Sequence, residues 1–160
     1  MTLDPKVTQK SFVLFVLGKK RFALPAEGVA ELVGSSHLHV FRHTNPLLLG
    51  VLLRRGRIVP VWDVTRILGG GSVFARKFYL IAKQCFGSTT EWAALPVTGQ
   101  CEIIAGLEPF PSGDEHPPYV TGLLLIVEEV VEVIDLEKLA AAMHVPAPAA
   151  EQLSVAEVRA

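Results

Sequence analysis

The stretch Gly50-Val51-Leu52-Leu53-Arg54-Arg55-Gly56-Arg57-Ile58-Val59-Pro60-Val61-Trp62-Asp63-Val64 decides the reading of this chain. Two short apolar runs, Val51–Arg54 and Ile58–Trp62, flank a basic turn at Arg55-Gly56-Arg57. Each run is too short for a helix, and both are rich in residues that suit a pleated surface, so the pattern is a β-hairpin. Gly56 supplies the positive φ that so tight a turn needs. Asp63 closes the second strand and precedes a short helix over Val64–Leu68, where it reads as the N-cap.

Upstream, Ser11–Leu17 and Arg21–Leu24 are strands around Gly18-Lys19-Lys20, and Pro25 ends the second. Glu27–Val29 fits a helical turn, and Glu31–Val33 and Leu38–Phe41 read as short strands before a turn at Asn45-Pro46. Downstream, Gly69-Gly70-Gly71 stops the helix and is the candidate hinge. Phe78–Lys83 and Trp92–Val97 are strands about a turn at Gly87-Ser88, and Ile103–Leu107 is another. A Pro- and Gly-rich loop, Glu108–Pro118, leads to a hairpin of Val120–Val127 and Val130–Ile134. Leu136–Met143 is a helix whose Leu136, Leu139, Ala140 and Met143 share one face. Residues 146–160 form an Ala- and Pro-rich tail expected to be flexible.

The chain repeats itself. Ala23-Leu24-Pro25 returns as Ala94-Leu95-Pro96, and Glu31-Leu32-Val33 as Glu102-Ile103-Ile104, both at an offset of 71. Gly50-Val51-Leu52-Leu53 returns as Gly122-Leu123-Leu124-Leu125, and Val61-Trp62-Asp63-Val64 as Val133-Ile134-Asp135-Leu136, both at 72. Four matches in one order imply two copies of a β unit of about five strands. Units that small escape open edges by curling closed, and each is marginal alone, so the two are expected to pack together. The expected fold is all-β: two packed five-stranded SH3-like β-barrels with short helices. Residues 1–145 form the domain, with repeat barrels at about 11–72 and 76–143.

Composition excludes several functions. Half of the 160 residues are hydrophobic and 19% charged, which provides for a core and argues against disorder. No apolar run reaches the roughly 20 residues of a membrane helix, the first residues lack a secretion pattern, and Cys85 and Cys101 make neither a CxxC nor a disulfide framework. The expectation is a cytoplasmic protein with no direct membrane insertion. Residues 1–83 hold 13 Lys/Arg against 4 Asp/Glu, whereas residues 84–160 hold 2 against 12. Opposite charge on the two halves can steer partners or dock the halves on each other. There is no nucleophile elbow, and Gly69-Gly70-Gly71 lacks the Lys-Ser/Thr of a phosphate loop, so no enzyme is expected. His37, His39 and His43 lack a nearby Cys or carboxylate, so neither metal nor other cofactor is expected. Three arginines on one turn are too small a patch to imply nucleic acid.

The hairpin resembles that of the CheW family, whose members carry G-V-x-N-L-R-G-x-I-V-P-V-x-D-L. The opening resembles it too, in Phe15-Val16-Leu17-Gly18, Phe22-Ala23-Leu24-Pro25 and Val29-Ala30-Glu31-Leu32-Val33. So does the end, in Tyr119-Val120-Thr121-Gly122 and Val133-Ile134-Asp135-Leu136-Glu137-Lys138-Leu139. The resemblance spans about residues 11–142. It implies a non-catalytic adaptor in bacterial chemotaxis, linking the cytoplasmic tip of methyl-accepting chemoreceptors to the regulatory domain of the histidine kinase CheA. Localisation would then be cytoplasmic, beside membrane receptor arrays. Leu53 stands where the family has Asn, Arg54 where it has Leu, and Val97-Thr98 where it has a Val-Asp pair. A coupling protein of a related pilus or twitching-motility system is therefore an alternative, and a small-molecule-binding β-barrel is one of another class.

The residues expected to bind partners are Arg55, Gly56, Val51, Leu53, Val33, Arg54 and Arg57. The resemblance places Arg55 at the interaction surface, where a guanidinium offers a planar fork of donors to a partner's carboxylate or carbonyls. The alternative for Arg55 is a local ion pair that fixes the hairpin, with Asp63 as the candidate acid. Val33, Val51 and Leu53 either pack the core or meet an apolar helix face of a receptor.

Overall fold

The computed structural model describes residues 10–34, 37–69, 78–86, 89–99 and 101–143, with the side chains of residues 84–86, 89 and 143 outside that description. The expected turn at residues 87–88, the second and third glycines of the triplet and the tail at 146–160 all fall outside it.

Period-two burial builds the strands. In β1 (Ser11–Leu17), Val13, Phe15 and Leu17 are buried on one face, and Phe12 and Leu14 on the other. The remaining strands are β2 (Lys20–Pro25), β3 (Val29–Gly34), β4 (Leu48–Arg54), β5 (Arg57–Trp62), β6 (Phe78–Phe86), β7 (Thr89–Val97), β8 (Glu102–Ala105), β9 (Val120–Ile126) and β10 (Glu129–Ile134). Two short helices, α1 (Thr65–Leu68) and α2 (Leu136–Met143), follow β5 and β10. The all-β class, the five strands per sheet and the short helices agree with the sequence reading. The expected strand at Leu38–Phe41 is reduced to a one-residue bridge, His39 with Val51.

The two sheets run in the orders β8-β1-β2-β10-β9 and β3-β6-β7-β5-β4. Advancing every strand by five positions, and wrapping round after β10, turns the first order into the second. The repeat is thus a true structural repeat, but its copies at 11–72 and 76–143 do not each close a sheet. Each copy gives its first two strands to one sheet and its other three to the other. The chain crosses at a single 3-10 turn, Ala26–Gly28, between β2 and β3. The edge of β2 away from β1 is taken by β10, and β3 pairs with β6 in the other sheet.

Register confirms the equivalence. Ala23 pairs in parallel with Val133, and Ala94 with Val61. The outer strands of the two sheets are closed off in the same way. His39 and Val51 exchange both backbone hydrogen bonds at 2.9 Å, and Phe110 and Leu123 exchange theirs at 2.8 and 2.9 Å. Each one-residue bridge occupies one position on an edge strand that would otherwise be open to pairing. Gly50 makes the first approach possible: it has φ +151°, and a Cβ there would lie 2.5 Å from the His39 carbonyl.

Three apolar clusters hold the molecule. One sheet encloses Val33, Leu52, Val59, Val61, Tyr79, Ile81 and Ala94. The other encloses Phe12, Leu14, Ala23, Leu124, Val131 and Val133. Between them lies the largest, where Phe15, Leu17, Phe22 and Leu24 meet Leu80, Leu95 and Val97, with Leu68 of α1 and Leu139 of α2. Thr98 adds a polar stitch across this junction: its Oγ1 donates to the Val16 carbonyl at 3.1 Å and accepts from the Gly18 amide at 3.0 Å.

The charge asymmetry of the two halves reappears as contacts. Lys10 with Glu108, Lys20 with Glu132, and Arg21 with both Glu102 and Glu129 all join the basic N-terminal segment to the acidic C-terminal half. These pairs tie β2, and the residue just before β1, to groups more than 80 residues later in the chain. No helix among the described residues is long and apolar enough to cross a membrane.

Candidate partner-binding site

The β4–β5 hairpin closes at the pair Arg54 with Arg57, leaving Arg55 and Gly56 as a two-residue loop. Both have positive φ, 51° and 75°, the geometry that matches the twist of the flanking strands. The strand pair therefore presets the loop, and Arg55 is carried at its tip with 77% of its side chain exposed.

Glu31 of β3 organises the base of the turn. Its carboxylate accepts from Arg54 at 2.6 and 2.8 Å and pairs with Arg55 Nε at 3.3 Å. Glu31 is mostly buried and Arg54 half-exposed, whereas Arg55 stays largely exposed, so the Arg54 contact is the better shielded of the two. Asp63, the acid expected as Arg55's local partner, lies elsewhere. It accepts from the Thr65 amide at 3.1 Å and from the Thr65 hydroxyl, and pairs with Arg66 at 3.6 Å; the N-cap of α1 is Val64 rather than the expected Asp63, which holds the turn from one residue earlier. Arg57 lies over the Trp92 ring, its guanidinium carbon 4.7 Å from the centroid.

The apolar candidates separate. Val33 points into the sheet interior with Leu52 and Val59, and Val51 is half-buried beside His39. Leu53 faces out, 58% exposed, directly opposite Ile58, 68% exposed. The sequence reading missed Ile58, although cross-strand alternation from Leu53 points to it. It also missed Glu31, which is 23 residues from Arg54 and on a strand that pairs elsewhere.

The repeat builds the same platform on the other sheet. Leu125 and Val130 are opposite each other and exposed at 56% and 61%. Their turn has Val127 and Glu128 at φ 44° and 64°. Here the charge is reversed. Glu129 accepts from Arg21 at 2.5 Å, and Arg21 also reaches Glu102, the repeat equivalent of Glu31, at 3.6 Å. The hydrogen bond from Arg21, helped by its charge, holds the Glu129 carboxyl below the usual carboxylate range.

Nearby groups suggest packing more than chemistry. Burial pushes the Cys101 thiol up to about 11. His37 and His39 touch edge to face, with ring centroids 4.4 Å apart. Among the described residues no group of three or more His, Cys, Asp or Glu is placed to hold a metal.

Two preset turns, each above an outward apolar pair on a rigid sheet, are the apparatus of a docking module, one that works through the surfaces it presents. Comparison with known proteins gives that class a family. The family model described as "CheW-like domain" matches residues 11–144, and this chain belongs to that family of non-catalytic scaffold and coupling proteins. Among curated proteins it is similar to Protein FrzA of Myxococcus xanthus, with 27% identity over 114 residues, covering 71% of this chain and 68% of FrzA. Among solved structures it is similar to the scaffolding protein TtCheW from Thermoanaerobacter tengcongensis, with a TM-score of 0.67 and 23% identity, covering 82% of this chain and 92% of that one.

Proposed function

We propose that this chain is a cytoplasmic coupling adaptor, joining the tip of methyl-accepting chemoreceptors to the regulatory domain of a CheA-type histidine kinase. The observation that carries the reading is the β4–β5 hairpin, which presents an exposed Arg55 and the apolar pair Leu53 and Ile58 on a preset turn. Arg54 and Arg57 frame that surface, Gly56 allows the turn, Val51 lies on the same strand face as Leu53, and Val33 packs in the cluster beneath. An arginine beside desolvated apolar contacts is a common interface anchor. The contacts would be individually micromolar and gain strength from repetition in an array.

A second reading keeps the mechanism and changes the pathway. Leu53 and Arg54 depart from the family pattern in the strand that leads into the exposed turn, which favours a divergent system such as one controlling pili and twitching. Titration calorimetry against the regulatory domains of the chemotaxis and pilus kinases of the same organism decides between them. Saturable binding to one domain assigns the pathway, and loss of binding in a folded Arg55→Asp variant assigns the hairpin to the kinase. If neither domain binds, the adaptor reading fails.

A further inference from the structure

The segment before β4 carries two histidines that the coupling role does not use. His39 is held in place, because its amide and carbonyl exchange hydrogen bonds with Val51 at 2.9 Å each. Leu38 packs against the inner cluster of Val33, Leu52 and Val59, so alternation turns His37 and His39 to the opposite, outer side. Both residues are exposed, and their rings meet edge to face with centroids 4.4 Å apart and planes at 85°. Among the described residues neither ring takes part in a hydrogen bond or an ion pair, which leaves ring nitrogens open to a ligand. The third histidine is engaged elsewhere: His43 Nδ1 accepts from the Asn45 amide at 3.2 Å, and the Phe41 ring lies 5.1 Å from its own. The repeat does not carry the pair. Phe110 makes the bridge equivalent to that of His39, and Glu108 stands two residues before it.

We propose that His37 and His39 together bind a divalent late first-row transition metal ion, Cu²⁺ or Ni²⁺, as a cis pair of imidazoles. The spacing of the rings carries the assignment. With a metal–nitrogen bond of about 2.1 Å, two imidazoles at a right angle on one ion have centroids about 4.5 Å apart, and at the tetrahedral angle about 5.2 Å. The observed 4.4 Å matches the right angle, which Cu²⁺ and Ni²⁺ adopt in square-planar and tetragonal sites. A structural zinc centre encloses its ion with four protein ligands, and two imidazoles do not supply that. The sequence reading set the histidines aside for want of a Cys or carboxylate, but an ion that takes solvent for its remaining ligands needs neither. The site is therefore an open one at the surface. A bound ion also holds residues 37–39 extended beside β4, so binding adds to the stability of the fold.

Titration calorimetry of Cu²⁺, Ni²⁺ and Zn²⁺ into the untagged full chain at about pH 7.5 tests it, with the His37→Ala/His39→Ala double variant as the baseline for binding elsewhere on the chain. Wild type should bind one Cu²⁺ above that baseline, and bind it more tightly than either other ion. His37→Ala and His39→Ala should each weaken binding about tenfold or more, whereas His43→Gln should leave it unchanged. These changes fall outside the core, and thermal melts of the metal-free variants like that of wild type show that the fold is kept. Electron paramagnetic resonance of the Cu²⁺ form should show coupling to two imidazole nitrogens in wild type and to one in either single variant. Cu²⁺ should raise the Tm of wild type and not that of the double variant. A wild type that binds no more Cu²⁺ than the double variant overturns the inference. So does a folded single variant that binds like wild type, or a Zn²⁺ complex tighter than that of Cu²⁺.

Discussion

Arg57 and Trp92 form a cation–π contact that bridges β5 and β7, parallel neighbours in their sheet. The repeat carries these positions to Glu129 and Arg21, which bridge the equivalent strands β10 and β2 as an ion pair at 2.5 Å. One position pair thus does one mechanical task with two chemistries. In a double-mutant cycle on urea stability, Arg57→Met and Trp92→Leu should show a coupling of about 0.5 to 1 kcal/mol.

The ion pair on the other sheet makes stability depend on pH. Glu129 titrates lower in the folded chain than in the unfolded one, because Arg21 donates to it. The unfolded state then binds more protons, so this contribution is present above the unfolded value of about 4.3 and is lost as pH falls through the folded value. Urea midpoints between about pH 5 and pH 3 should fall less steeply for Glu129→Gln than for wild type.

Relief of the strained turn should stabilise the chain. Replacing Val127 with Asn and Glu128 with Gly gives the residues that a two-residue loop with two positive φ values prefers. The gain should be about 1 kcal/mol, read as a rise in Tm of about 2 to 4 °C.

Gly50 and Gly34 offer a paired control. A Cβ at Gly50 meets the His39 carbonyl at 2.5 Å with φ at +151°, whereas one at Gly34 meets nothing within 4 Å. Gly50→Ala should cost about 3 kcal/mol in urea unfolding, and Gly34→Ala should cost less than about 0.5 kcal/mol.

Much of this was legible before the structure. The hairpins were, because alternation and turn chemistry are local. The repeat was too, since Ala23 and Ala94 occupy the same parallel bridge in their respective sheets. The division of strands between sheets was not. Sequence likeness marks the unit that was duplicated, and the crossover after β2 depends on a three-residue link whose direction no pattern records. Arg55 and Leu53 were singled out through the resemblance, and both are exposed on the hairpin. Val33 carries the same pattern, but its side chain falls on the inner face. Glu31 was hidden because its partners lie on a strand it does not pair with, although it is the lone acid between Glu27 and Asp63.

The reciprocal exchange of strands also sets the order in which the molecule can be completed at the ribosome. When β1 and β2 emerge, the strands that flank them, β8 and β10, have yet to be made. The β3–β7 sheet can close first, because all its strands lie between residues 29 and 97. Until the last third of the chain appears, Phe12 and Leu14 have only one side of their cluster to pack against. A nascent chain stalled near residue 100 is therefore half a finished protein with a sticky leader, a natural client for a chaperone. Fragments cut between α1 and β6 should each be insoluble alone and should rebuild one molecule when mixed, since each holds strands that the other's sheets lack.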